Sequence, residues 1–208
     1  ARTFADDVDF AHARPALLRL LNAFCNLLDE RHVKYIQGMS LIAGVLLTVM
    51  PELDAFFCLK QLVFARIPTY YTSFALNHGA QRGAALMDAC LAAVDPTLHT
   101  YLHERGFQPC VVVRCFYSMS AATKPLHQVV RLWDYYMANG CHHVVYVTVA
   151  QLLLVRSVLL SLTAPSSKLI DFPDLEADKL IPLAVVVEAR IPPDLRQQVE
   201  RHCLVDFE

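Results

Sequence analysis

The 208-residue chain is 55% hydrophobic and 18% charged, with a formal net charge of −2. That is enough apolar material for one sizeable core, and it leaves no positive footprint for nucleic acid or an anionic membrane surface. Its seven cysteines are scattered through apolar runs, not set at the short spacings of a secreted disulfide framework, so they read as reduced, mostly buried thiols of a cytosolic protein.

The first ten residues, ARTFADDVDF, lack the basic and apolar segments of a secretory signal, and they open abruptly, as a domain without its N-terminal helices would. Pro15 can start a helix running to about His32, with Leu17, Leu20, Leu21, Phe24, Leu27 and Leu28 on one face. After the polar turn Arg31-His32-Val33-Lys34, a second helix from about Gln37 to Met50 should carry Met39, Ile42, Val45, Leu46 and Val49 inward, and Pro51 ends it. Gln37 therefore stands at a helix N-terminus. Helical patterns continue at roughly Glu52 to Ile67, Ala80 to Val94, Pro96 to Arg105, Pro109 to Met119, Leu126 to Ala138, Val144 to Leu162, Leu175 to Glu188 and Pro193 to His202. The short β-branched runs at 111–113 and 185–187 lie inside longer helical patterns, so strand signals are poor. The expectation is one all-α domain spanning 1–208, without a fixed-period repeat, with irregular loops at 67–79 and 163–173.

The most apolar stretch, Val144 to Leu162, is long enough to test as a membrane span. Gln151, Arg156, Ser157 and Ser161 interrupt it, and an arginine near the middle of a lone span is expensive, so it reads as a buried core helix. Phosphate-binding, dinucleotide, zinc-protease and nucleophile-elbow motifs are missing, which removes a nucleotide hydrolase or oxidoreductase site of the chain's own. His127 and Asp134, seven positions apart on one helix face, read as a structural pair, not as part of a triad. Cys141-His142-His143 reads as a helix start, since adjacent side chains diverge, and no metal site is expected.

One segment has no packing reason to exist: a polar, helix-breaking Gln-Gly pair at the mouth of an otherwise apolar helix. Tyr35-Ile36-Gln37-Gly38-Met39 resembles the Y-x-Q-G-M signature of the TBC family of Rab GTPase-activating proteins, and Arg2-Thr3 stands 35 positions before Gln37, as that family's arginine does. Glu52-Leu53-Asp54-Ala55-Phe56, Asp95-Pro96-x-Leu98, Arg131-Leu132-Trp133-Asp134 closed by Gly140, and Ile191-Pro192 with Leu195 agree in order, so the resemblance covers essentially the whole chain. Arg2-Thr3-Phe4, Leu21-Asn22-Ala23-Phe24, the helix from Ala150-Gln151-Leu152 to Arg156, and Phe172-Pro173 look like the branch that includes the activator of the fungal mitotic-exit pathway. Two departures stand out. The family's aspartate three positions before the arginine would precede residue 1, and Phe4 occupies a place that is often proline.

The resemblance implies that Arg2 and Gln37 are catalytic fingers donated to a Rab-type small GTPase. Arg2 would neutralise charge on the phosphate oxygens with a planar, permanently protonated fork, and Gln37 would hold the attacking water. Gly38 would let the GTPase backbone approach, while Tyr35 and Met39 would fix the loop. GTP and Mg2+ would belong to the partner, with no cofactor, nucleic acid or direct membrane insertion for this chain. A cytoplasmic location follows, with recruitment to membranes or a cytoskeletal organelle through the partner or flanking sequence, and a vesicle-trafficking role. Trp133 and Asp134 are assigned to architecture, a buried indole and a carboxylate satisfying a helix or arginine. Taken alone, an arginine at residue 2 is a frayed surface residue and a glutamine at a helix start a solvated cap neighbour. Only their joint occurrence at the family's separation carries the reading. The alternatives are a TBC-fold scaffold or Rab-binding adaptor without activity, and a helical interaction module with no GTPase partner.

Overall fold

The computed structural model of the chain describes residues 8–30, 35–71, 79–165, 169 and 173–204, with the side chains of 8–13 outside that description. Among the described residues there is no strand, and the all-α expectation holds. Arg2 lies outside the described residues.

Helix α1 (Val8–Glu30) begins before Pro15, which lies inside it and not at its start. The proline is exposed, so its missing N–H interrupts the ladder on the solvent side. Leu20, Phe24 and Leu28 are buried, with Leu17, Leu21 and Leu27 packed beside them, which is the stripe expected from the sequence. That stripe covers α2 (Met39–Val49) and α3 (Glu52–Gln61), and Phe24 meets Phe56 edge-on with centroids 6.2 Å apart. Val49, expected inward, is 53% exposed. It stands in the last turn of α2, at the lip of an apolar depression that α2 shares with α3 and α8 (Leu126–Asn139).

The helix expected over Glu52 to Ile67 changes character in its last turn. Leu62–Arg66 is a π-helical turn closed by Ile67 N–H to the Leu62 carbonyl at 2.9 Å, and α4 (Pro68–Tyr71) follows where a loop was expected. Helices α5 (Gly79–Val94) and α6 (Pro96–Glu104) meet at Asp95, which caps α6 by accepting from Leu98 N–H at 2.9 Å. Its other oxygen takes Arg156 Nε at 2.5 Å. Burial pushes the Asp95 carboxyl up, but the Arg156 guanidinium and the backbone donors outweigh it and hold the carboxyl below its ordinary value.

The pattern over Pro109 to Met119 resolves into a 3-10 turn at Pro109–Val112 and a short α7 (Val113–Tyr117). It stops early because Met119 and Ser120 take φ of 50° and 65°, a left-handed turn that no glycine relieves. Two bonds from α8 pin that turn: Trp133 Nε1 donates to the Met119 carbonyl at 2.8 Å, and the Ser120 and Tyr136 hydroxyls meet at 3.1 Å. Trp133 is thus architectural as expected. Asp134 is not: it is solvent-exposed and bonds no described residue, because its place on α8 faces away from the turn. His127 is likewise exposed and is not bonded to Asp134, so the structural pair expected of the two does not form among the described residues, while Cys141–His143 is a 3-10 helix start, as expected.

Helix α9 (Val144–Leu154) is the central element, buried on every side from Val144 through Leu152 and packed on α5 and on α11 (Ala177–Arg190). Two of its polar residues are satisfied internally: Thr148 Oγ1 donates to the Val144 carbonyl at 2.7 Å, and Gln151 Nε2 donates to the Pro173 carbonyl at 3.0 Å, whereas the buried Tyr146 hydroxyl bonds no described residue. The expected single helix to Leu162 breaks at Val155, with α10 (Arg156–Ser161) restarting so that Arg156 reaches Asp95. No described helix is long and apolar enough to cross a membrane. Finally α12 (Pro193–Arg201) packs on α5 and delivers His202 and Cys203 to α4. There Thr69 Oγ1 donates to the His202 carbonyl at 2.8 Å, and Tyr70 Oη lies 2.7 Å from His202 Nε2. His202 Nδ1 is 2.5 Å from the Val199 carbonyl, which can only accept, so Nδ1 carries the proton and Nε2 accepts from Tyr70.

Candidate functional site

The chain enters α2 through an abrupt turn at Gln37-Gly38. Gly38 has φ of 121° and ψ of −34°, a conformation L side chains rarely adopt, and its carbonyl accepts the first helical bonds from Leu41 and Ile42 at 2.9 and 3.1 Å. A Cβ on Gly38 would lie 2.5 Å from the Tyr117 carbonyl oxygen. Gly38 is buried, so its need for close approach is met inside the molecule, by the end of α7. Met39, fully buried, pins the turn from below, while Tyr35 is 45% exposed at the surface beside Tyr71.

Between that turn and α7 lies an open cleft of about 450 Å³, lined by Gln37, Gly38 and Ser40 on one side and by Arg114, Tyr117 and Ser118 on the other. Gln37 is exposed, and its carboxamide bonds no described residue. The opposite wall is stiff. Tyr71, fully buried, donates its hydroxyl to the Tyr117 carbonyl, the same oxygen that packs on Gly38. Burial holds the Tyr71 phenol well above its ordinary range and raises that of Tyr117, so both stay neutral and Tyr71 remains a donor at any physiological pH. Ser118 Oγ donates to the Arg114 carbonyl at 2.8 Å and accepts from Ala122 N–H at 3.1 Å, which ties the wall to the strained Met119-Ser120 turn held by Trp133 and Tyr136.

The cleft's chemistry is that of an acceptor of anions. The positive end of α2 opens into it and Arg114 stands on its wall, and among the described residues no carboxylate, imidazole or thiol lines it. An exposed amide on a rigid base can donate and accept at once, as is needed to orient a water beside a phosphate. Sequence reasoning missed Arg114, Tyr117 and Tyr71. A lone arginine in the apolar run Val111-Val112-Val113-Arg114-Cys115-Phe116 was the one available signal, and the two tyrosines look like ordinary core residues.

Residues 1–160 match the family model described as the Rab-GTPase-TBC domain. Over 97% of its length the chain is 36% identical to the putative mitotic check point protein BUB2 of Dictyostelium discoideum, 33% to the mitotic check point protein BUB2 of Saccharomyces cerevisiae and 30% to cell division control protein 16 of Schizosaccharomyces pombe. It spans 54%, 70% and 67% of those proteins. The fold is shared with the solved Chlamydomonas flagellar RabGAP TBC domain, at a TM-score of 0.67 and 19% identity, covering 97% of this chain and 63% of that one.

Proposed function

Given that the chain belongs to the Rab-GTPase-TBC domain family, we propose that it accelerates GTP hydrolysis by a Rab-type small GTPase through two residues supplied in trans, Arg2 and Gln37. The observation that carries this is the exposed amide of Gln37, which bonds no described residue, on a turn whose backbone is locked by Gly38, Met39 and the Tyr117 carbonyl. A polar side chain that bonds no described residue, on so constrained a base, is suited to a partner outside the chain.

In the proposed complex the GTPase lays its nucleotide over the cleft, bringing its own GTP and Mg2+. The Gln37 carbonyl oxygen accepts from the attacking water and the amide N–H donates toward a γ-phosphate oxygen, aligning the water with the bond to the leaving β-phosphate oxygen. As that bond breaks, charge on the phosphate oxygens is met by the Arg2 guanidinium, with the positive end of α2 and Arg114 favouring the anionic side of the partner. Tyr35 and the rim of the cleft supply contact area to the GTPase.

A panel of GTP-loaded small GTPases, each followed through a single turnover with and without the chain, tests the reading. Stimulation of at least one Rab-type member is the expected result. Tight binding to a GTP-loaded Rab without stimulation would replace it with the adaptor reading.

A further inference from the structure

Away from the cleft, helices α5 and α6 bring together three groups that the proposed mechanism does not use. Asp88 projects from α5, and His99 and His103 stand one turn apart on α6. The rotation of α6 is fixed by Leu98 and Leu102, both fully buried, and its start by the Asp95 cap held by Arg156. That leaves the two imidazoles side by side, ring centroids 4.3 Å apart, both with Nε2 turned to one carboxylate. His103 Nε2 lies 2.9 and 3.1 Å from the two Asp88 oxygens, and His99 Nε2 lies 3.4 Å from Oδ2.

These separations have a specific meaning. With metal–ligand bonds near 2.0–2.1 Å, two donors on one tetrahedral ion sit about 3.3 Å apart. Both His–Asp separations are close to that edge length, and all three donor atoms lie within 4.8 Å of one another. Small rotations of the two histidine side chains would close the remaining gap. Asp88 is 18% exposed, His99 26% and His103 37%, a gradient that puts the carboxylate at the base and leaves an open mouth for an ion and its water. Two neutral imidazoles and one carboxylate form a borderline donor set, suited to zinc-class ions and poor for Mg2+ or Ca2+.

We propose that Asp88, His99 and His103 form a binding site for a divalent transition-metal ion of the zinc class, with water in the remaining position. The ion would tie α5 to α6 across their open edge and stabilise the folded chain in proportion to its concentration.

The test uses Zn2+ and Co2+ as probes on the full chain. Thermal unfolding should move to higher temperature with Zn2+ and saturate at one ion per chain, with Mg2+ at the same concentration giving no shift. Co2+ should give visible d–d bands without a near-ultraviolet thiolate charge-transfer band, which separates this site from the seven cysteines. His103→Ala, at the most exposed ligand and so least able to disturb folding, should weaken Zn2+ binding by about tenfold or more, and Asp88→Asn should do the same. Absence of saturable binding would reduce the cluster to a His–Asp hydrogen-bonded pair. A thiolate band, or affinity unchanged in folded His103→Ala, would overturn the assignment as well.

Discussion

At the mouth of α2 the polar groups stand in water with few partners, whereas at the junction of α4 with the end of α12 they are buried and all engaged. Gln37 is exposed and bonds no described residue; His202, 2% exposed, uses both ring nitrogens, and Tyr70, Thr69 and Cys203 close around it. A buried polar network contributes to stability because each member would be left unsatisfied if its partner were lost. An exposed amide contributes almost nothing to stability, so its placement is free to serve a partner. The two regions should therefore separate cleanly under mutation, activity responding at one and stability at the other.

The largest effect expected is on the activity side. Arg2→Ala should lower stimulated GTP hydrolysis by about 10³-fold, roughly 4 kcal/mol of transition-state stabilisation, with binding to the GTP-loaded partner kept within about tenfold. Arg2→Lys should recover little, because a point charge does not reproduce the guanidinium fork. Single-turnover rates beside equilibrium binding would expose either failure.

Gly38→Ala crosses the divide. The backbone at φ of 121° penalises any side chain by about 1–3 kcal/mol, and the 2.5 Å approach of the Tyr117 carbonyl adds a clash that neither backbone can relieve cheaply. This variant should lose both stability, read from chemical denaturation, and stimulation, because Gln37 rides on the same turn.

On the stability side, His202→Ala should destabilise by about 2–3 kcal/mol and leave stimulation per folded molecule intact. Its pH signature is distinctive. Burial holds His202 down to about 4 in the folded chain, against 6.5 for an ordinary imidazole. Above 6.5 the group is neutral in both states and its contribution is fully present. Between 6.5 and 4 the unfolded chain takes up the proton first, so stability falls as pH falls. The variant should show a shallower decline over that window, the remainder including His142, also held down to about 4 chiefly by burial.

The smallest effect is behind the wall of the cleft. Trp133→Phe keeps most of the buried surface but removes the donor to the Met119 carbonyl, costing about 1 kcal/mol and loosening the left-handed turn behind the cleft. A modest drop in stimulation with near-native stability is the expected pattern.

The helical organisation was legible because apolar stripes such as Leu20, Phe24 and Leu28 recur at helical spacing and because Pro and Gly mark the ends. What went astray were places where tertiary demands override local pattern. Pro15 is carried inside α1, the stretch from Val144 to Leu162 breaks at Val155 where Arg156 turns to Asp95, and Met119 and Ser120 adopt left-handed angles without a glycine to announce them. Gln37 could be found from its motif, but the wall opposite it could not. Tyr71 and Tyr117 lie 46 positions apart, and only folding shows that one hydroxyl braces the carbonyl on which Gly38 rests.

The central claim, that Gln37 replaces the GTPase's own water-positioning glutamine, has one direct test. A responsive Rab whose glutamine has been changed to leucine should still be stimulated by the wild-type chain and should lose that stimulation with Gln37→Ala, while binding persists. Stimulation that survives Gln37→Ala, or that vanishes with the Rab substitution alone, would contradict it.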